Sequence, residues 1–502
     1  MMYLSFFSRF KCRYVVILCF SLTLLIMSGC NETEKPPAPY GAVPSARQLD
    51  HEKMEMYAFL HFNMNTFTNK EWGYGDESPT LFNPTDFDAD QIVGTLARAG
   101  FKGVILTAKH HDGFCLWPSA YTEHSVKNSP WKDGKGDVVR AISDACKKYG
   151  IKFGVYLSPW DRNRADYGTP SYITYYKNQL RELLTRYGDI FEVWFDGANG
   201  GSGYYGGSRE VRKIDKDNYY PWDSLYHIVR TLQPGAVMFS DAGPDLRWVG
   251  NEKGYANDTC WETYTPIPQK GFKHAYAGNT QSRQGEKGTM NGKYWMPAEA
   301  DVSIRQGWFY HPDQEPKSLS QLVSIYFNSV GNGALLNLNV PPNRAGKISP
   351  EDSVRLMEFK KYLDEGYRND FLAGSQATIT GAGGKTVSAM QLTDGKTATY
   401  WAAPGDTAYS ITFKLDKPSV VNCLMMQEYI RAGQRVASYT VEVSSNDHWQ
   451  QVAAGATVGY KKLVRFPDVK ASSVRITINR ALAPPVLAEA ALYRFPDIEQ
   501  DH

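Results

Sequence analysis

The chain has 502 residues, 13% of them aromatic, and 55 basic side chains against 53 acidic ones. That length admits about two to four domains with a large buried core. Nothing in the near-neutral balance suggests a nucleic-acid partner. Twelve Trp and 32 Tyr suit a sugar site, where rings stack on pyranose C–H faces, but an ordinary core consumes aromatics as well.

Residues 1–29 read as a signal peptide, with Arg9, Lys11 and Arg13 ahead of the apolar run "YVVILCFSLTLLIM" and then "SGC". A plain secretory signal or a membrane anchor shares the first two features. Small residues directly before Cys30 resemble a bacterial lipobox, which makes Cys30 the lipidated first residue of the mature chain. A lipid-anchored place in the cell envelope follows, periplasmic or at the cell surface. Residues 30–48 are polar and Pro-rich and read as a tether. Cys12 and Cys19 leave with the leader. Cys115, Cys146, Cys260 and Cys423 match neither a disulfide framework nor a zinc motif, so buried free thiols are expected.

Over residues 49–368 short apolar runs alternate with amphipathic segments. "MYAFLHF" is a strand and "DADQIVGTLARAG" a helix with an Asp start and a Gly stop. "FKGVILTAKHH", "IKFGVYLSPW", "DIFEVWFD" and "AVMFSD" are strands. "DVVRAISDACKKYG", "YITYYKNQLRELLTRYG" and "WDSLYHIVRTLQPG" are the helices between them. "YWMPAEADVSI" and "GALLNLNV" are further strands, followed by a helix from about 350, while "DAGPDLRWVGNEKGY" reads as a loop. Continuous apolar strands each followed by a helix imply a parallel sheet, and about seven or eight of them favour a (β/α)₈ barrel over a doubly wound sheet. The later units are irregular, so the barrel need not be perfect. From 372 to 497, "YSITFKL", "VNCLMMQEYI", "SYTVEVSS" and "SVRITINRA" are short strands between turns, the pattern of a β-sandwich.

Reactive groups of a barrel enzyme sit at the C-terminal ends of its strands. Those ends read His61; Lys109-His110-His111-Asp112; Tyr156 with Trp160-Asp161; Trp194 and Asp196; Asp241; Glu299 and Asp301. One terminal Asp is as easily a helix cap. Polar ends on five or six strands are not explained by caps. Carboxylates, His and Trp without a phosphate-binding Gly loop suit glycoside hydrolysis, which pairs one carboxylate nucleophile or base with one protonated acid. Asp196 is the first candidate, and Asp241, Asp245 and Glu252 compete for the second role. "HHD" is also a metal-ligand pattern, but neighbours on one strand point to opposite faces. No active-site metal and no catalytic cofactor are expected.

"FLHFNMNTF", "TAKHHDGFCLW", "VWFDGA" and "GNGALLNLNVPPNRAGKI", in strand order over roughly residues 50–365, resemble the α-L-fucosidases of glycoside hydrolase family 29. "SDAGPDLRWVGNE" and "PAEADVSIRQGWFYH" are similar to its branch acting on α-1,3- and α-1,4-linked fucose in branched, Lewis-type glycans. The resemblance implies a retaining exo-enzyme working by double displacement on fucosylated oligosaccharides or glycoconjugates, with Asp196 the nucleophile and Glu252 the general acid/base. It maps sugar contacts onto His61, Glu71, Trp72, His110, His111 and Tyr156, a pocket aromatic onto Trp194, and a neighbour of the sugar methyl onto Trp308. Neutral imidazoles bind hydroxyls without adding charge. Retention needs the two carboxyls ~5 Å apart, so the loop carrying Glu252 must fold back over the barrel mouth. The C-terminal segment resembles the discoidin-like sandwiches of carbohydrate-binding family 32, some of which hold calcium near the positions of Asp394 and Glu489. It reads equally well as a scaffold buttressing the barrel. A catalytically inactive glycan-binding lipoprotein is the alternative to an enzyme, and the presence of both Asp196 and Glu252 argues against it.

Overall fold

The computed structural model describes residues 37–498 apart from 382, 446 and 447; the leader and Cys30 lie outside them. Eight segments become parallel strands that close on themselves: β1 (Met56–Leu60), β2 (Gly103–Lys109), β3 (Lys152–Leu157), β4 (Ile190–Trp194), β5 (Val237–Ser240), β6 (Leu246–Trp248), β7 (Ala298–Ser303) and β8 (Leu335–Asn339). Each pairs with its neighbours in chain order, and β8 returns to β1. Nearly all of their residues are buried, because the barrel interior packs one face of each strand and helices pack the other.

The helices are α1 (Ala89–Arg98), α2 (Val138–Tyr149), α3 (Pro170–Arg186), α4 (Trp222–Leu232), α5 (Leu319–Asn328) and α6 (Pro350–Gly366). Their starts are set by side-chain caps: Asp88 accepts from the Gln91 N–H, Asp137 from Arg140, and Ser318 forms a capping box with Gln321. Gly150 closes α2 at φ 69°, a left-handed turn that favours glycine.

The barrel is irregular where the sequence becomes irregular. Among the described residues no α-helix separates β5 from β6, or β6 from β7, and only a 3-10 turn at Ser282–Gln284 lies in the second gap. Strand β6 lies inside the stretch read as a loop, since three residues flanked by Asp245 and Gly250 show no apolar run. Its approach is pinned by Asp245, whose carboxylate accepts the Met238 N–H at 2.8 Å and pairs with Arg230 and Arg47. Asp245 therefore closes the barrel and is removed from the candidate acids. The segment read as a tether over 30–48 also ends earlier than expected. Ser45 and Gln48 form a capping box for a helix at Ala46–Glu52, and the Gln48 amide donates to the Asp245 and Trp295 carbonyls. A Ser-x-x-Gln signal sits there beneath the Pro-rich composition.

The C-terminal domain is an antiparallel sandwich of β9 (Ala377–Gly381), β10 (Thr386–Ala389), β11 (Trp401–Ala402), β12 (Tyr409–Glu428), β13 (Val436–Ser445), β14 (His448–Gly455), β15 (Lys462–Ala481) and β16 (Val486–Tyr493). Strands β12 and β15 run for 20 residues each, and their pairing shifts register after Lys414 and after Val421. Such bulges bend a strand and let it serve two layers. The sandwich shares a core with the barrel: Cys423, Met425 and Leu463 pack into the barrel's apolar cluster. Phe495 sits 5.1 Å from the Phe327 ring and 5.0 Å from Tyr367. Cys115, Cys146, Cys260 and Cys423 are free and buried, as their spacing implies. No described helix is long and apolar enough to cross a membrane.

Candidate active site

Along β4 every second side chain enters the barrel, so Glu192, Trp194 and then Asp196 point inward in ascending order. Asp196 stands two residues past the strand, next to Gly197, whose lack of a side chain admits the Gly278 backbone: a Cβ there would meet the Gly278 nitrogen at 3.1 Å. Its Oδ1 accepts the Ala198 N–H at 2.7 Å and its Oδ2 accepts the Tyr156 hydroxyl at 2.9 Å. Burial raises the Asp196 carboxyl above the usual range, and the two donors oppose that shift. The terminal Asp is thus aimed at a cavity and does not cap a helix.

That cavity, of about 310 Å³, is lined by His61, Trp72, His110, His111, Tyr156, Trp194, Asp196, Glu252 and Trp308. Nine of the ten side chains mapped by resemblance to the sugar pocket or to catalysis therefore meet in one place. Glu71 is the exception. Its carboxylate turns away to accept the Trp308 and Phe309 N–H groups at 2.8 and 3.4 Å, and it contacts His311 Nε2 at 2.5 Å. Glu71 holds the loop that presents Trp308.

His110 and His111 both face the cavity, contrary to the alternation argument. Strand β2 ends at Lys109, so the pair lies in the following turn, with ring centroids 4.1 Å apart. Their protonation follows from their partners. The Ser158 hydroxyl donates to the Trp160 carbonyl, so it accepts from His111 Nδ1 at 2.7 Å, which leaves Nε2 as an acceptor 3.7 Å from Asp196. The Asn339 amide donates to Ser303 and the Trp308 carbonyl, so its oxygen accepts from His61 Nδ1 at 2.9 Å. His61 likewise keeps Nε2 as an acceptor. Burial pushes His61 and His111 down to about 3 and His110 well below its usual value. All three are neutral at pH 7, suited to hydroxyls rather than to anions.

Glu252 comes from the 249–297 excursion between β6 and β7 and accepts the Trp308 indole N–H at 3.3 Å. Desolvation raises its carboxyl; Trp308 opposes this, and the charges of Asp196 and Glu71 add to the rise. Of the rival acids, Asp241 is committed to the Gly278 N–H and the Thr280 hydroxyl at 2.9 and 2.6 Å. Asp301 accepts the Trp248 indole N–H at 2.6 Å and is pushed well above the carboxylate range by burial and then by Glu252. Glu299 lies deeper, beneath Trp194. Asp196 and Glu252 facing one cavity, both raised by burial, are the paired carboxyls that acid/base-assisted displacement at an acetal uses.

Sequence reasoning missed Phe59, Phe239, Trp248, Gln269, Thr280 and Ser282 in the cavity wall. The first two were detectable as inward positions on recognised strands. The others lie on or beyond the unrecognised β6. Away from the cavity, Asp394 and Glu489 flank the Lys396 N–H at 2.9 and 3.1 Å. Burial, then the charge of Asp394, pushes Glu489 up to about 8. Two carboxylates crowded in this way fit a hard cation such as calcium, whose charge would relieve their repulsion.

The family model described as Alpha-L-fucosidase matches residues 42–366, and the F5/8 type C domain model matches residues 373–488. The chain is 41% identical to Alpha-L-fucosidase 1 of Arabidopsis thaliana over 94% of its own length and 92% of that protein's. A glycoside hydrolase 29 family member from an unknown rumen bacterium superposes with a TM-score of 0.82 at 42% identity, over 92% of this chain and 79% of that one. A Ruminococcus gnavus GH29 fucosidase solved in complex with fucose superposes with a TM-score of 0.81 at 32% identity, over 93% and 98%. An inward-facing carboxylate above a barrel, three neutral imidazoles and these matches lead to one conclusion: the chain belongs to the alpha-L-fucosidase family of glycoside hydrolases, carrying an F5/8 type C domain after its barrel.

Proposed function

We propose that this protein is a retaining exo-α-L-fucosidase releasing terminal α-1,3- and α-1,4-linked L-fucose from branched, Lewis-type glycans. The observation that carries the reading is that Asp196 and Glu252 project into one cavity together with three neutral imidazoles and the Tyr156 hydroxyl, while the other two carboxyls of its wall, Asp241 and Asp301, are bonded to Thr280 and to Trp248. Asp196 attacks the anomeric carbon while Glu252 protonates the departing oxygen. Glu252 then takes a proton from the water that opens the glycosyl-enzyme. His61 and His111 accept from sugar hydroxyls through Nε2. Trp308, Phe59 and Trp194 supply apolar wall for a sugar whose C6 is a methyl group. Gln269, Thr280 and Ser282 give the cavity a second, polar wall on the side of the leaving group, where a branching sugar needs hydroxyl partners.

Proton NMR of the first turnover tests the stereochemistry: the α-anomer of fucose must appear before mutarotation, and initial β-fucose would replace the mechanism with single displacement. Release from Lewis a or Lewis x trisaccharide should exceed release from unbranched α-1,2-fucosyllactose. Equal or reversed rates would remove the linkage assignment.

The envelope location is part of the same proposal. Cys30, preceded by Ser-Gly, is acylated and tethers the enzyme to a bacterial membrane. Acylation is checked by the mass of the N-terminal peptide from cells, and an unmodified thiol there refutes it. Calcium at Asp394 and Glu489 serves stability only: chelation should lower the melting temperature while leaving kcat on a small aryl fucoside intact below that temperature.

A further inference from the structure

Beneath the cavity the barrel interior holds two fully buried carboxyls, Glu192 on β4 and Glu299 on β7, which no step of the proposed reaction uses. Their ligating atoms and that of His51 lie within 4.8 Å of one another. Glu299 is saturated with donors. Its Oε1 accepts the Trp194 indole N–H at 2.8 Å and the Asn337 amide at 2.9 Å, and its Oε2 accepts the Tyr57 hydroxyl at 2.5 Å. Three donors on one acceptor group call for an ionised carboxylate. Glu192 is the reverse: neither of its oxygens has a hydrogen-bond donor at ordinary geometry, and His51 Nε2 lies 3.4 Å from it. Burial, then the charge of Glu299, raises Glu192 well above the carboxylate range, while burial keeps His51 neutral down to about 3. Burial raises Glu299 as well, but its three donors oppose that shift, so the proton of the pair belongs to Glu192. A metal ion would have to displace the three donors that already point at Glu299, and a single proton satisfies the pair without moving them.

The Glu299 carboxylate is aimed at Trp194. The indole is stacked on Phe239 at 4.1 Å and 11°, and its other neighbours are Phe59 at 5.1 Å and the Tyr156 ring at 5.4 Å. Tyr156 is the side chain whose hydroxyl donates to Asp196. An indole free to rotate about its χ angles would release the Tyr156 ring. The N–H bond to Glu299 locks that rotation from below, where no substrate reaches.

We propose that Glu299 is a positioning residue for the catalytic centre, fixing the Trp194 indole and through it the Tyr156 hydroxyl that aligns Asp196. The proposal rests on Asp196 being the nucleophile. It is tested with the full chain in three variants, Glu299→Gln, Trp194→Phe and the two combined, assayed on an aryl α-L-fucoside. Glutamine at 299 removes the charge and turns an N–H₂ toward donors. Phenylalanine at 194 keeps the stacking and removes the N–H. Each single variant should lower kcat about 10- to 100-fold with KM changed less than about 3-fold, the scale expected when a reacting group is misplaced by about an ångström. The double variant should fall within about 3-fold of the slower single one, because both remove the same bond. Multiplicative losses, or a loss confined to KM, would assign Glu299 a merely structural part and overturn the proposal. If Glu299→Gln does not fold, Trp194→Phe decides alone, and wild-type kcat in that variant overturns it. Asp196→Ala run in parallel separates the two levels. Activity there removes the underlying assignment, whereas an inactive Asp196→Ala beside an unimpaired Glu299→Gln removes only this proposal.

Discussion

Asp196→Ala should lose turnover by on the order of 10⁴-fold or more, which corresponds to at least about 5 kcal/mol of transition-state stabilisation. The protein should still fold. The Asp196 side chain is 23% exposed to the cavity, so water replaces the carboxylate on the Tyr156 hydroxyl and the Ala198 N–H without leaving either buried and unpaired. Removing an oxygen nucleophile also leaves a hole of about its own size. Azide occupies that hole and attacks the anomeric carbon when the leaving group is good, so aryl fucoside or fucosyl fluoride should recover part of the rate as fucosyl azide of inverted configuration. Turnover close to wild type in Asp196→Ala would pass the role to Asp241 or Asp301, the other carboxyls of the cavity wall.

Glu252→Ala should behave differently with different leaving groups, and the contrast is the second large effect. On natural oligosaccharides the departing oxygen is a poor leaving group, and loss of its proton donor should cost about 10²- to 10⁴-fold. A nitrophenol or fluoride leaves unaided, so the first step should stay fast and the glycosyl-enzyme should accumulate as a burst. Azide should then accelerate turnover by taking the place of activated water. The pH profile carries the same information. Because desolvation and the Asp196 charge raise the Glu252 carboxyl, it keeps its proton to higher pH than an exposed glutamate, and kcat/KM falls as pH rises past that point. In Glu252→Gln this alkaline limb should disappear. A profile that keeps it would assign the acid to Asp301, whose carboxyl is also raised.

The half of the site that binds the sugar was readable in the sequence because it stands on strands β1 to β4, where apolar runs mark the strand and its last polar residue marks the mouth. His61, Tyr156, Trp194 and Asp196 are all of this kind. Reasoning failed where regular structure ends. The two-face argument for His110 and His111 failed because β2 stops one residue before them. Glu71 looks like a ligand contact in a motif, yet its direction depends on backbone N–H groups more than two hundred residues away. Thr280 and Gln269 enter the cavity on a loop organised by Asp241, through bonds to Gly278 and Thr280 that span 37 and 39 positions. No periodicity encodes contacts of that kind.

The missing helices between β5 and β7 have a consequence for what the sandwich is. In their place the 249–297 excursion is fastened sideways: the Cys260 N–H donates to Thr457 at 2.8 Å, the Glu262 N–H to Gln434 at 2.7 Å, and Lys462 grips Asp258 at 2.6 Å. These ties fall six to ten residues beyond Glu252. The appended domain therefore does the work of a barrel wall for the excursion that carries Glu252. A lineage that kept the barrel and exchanged this domain would have to refasten the excursion that carries Glu252, and the foot of β1 as well, where Lys461 pairs with Glu55 at 2.7 Å. In this architecture the placement of Glu252 is inherited with the neighbouring domain, whether or not that domain ever touches a sugar.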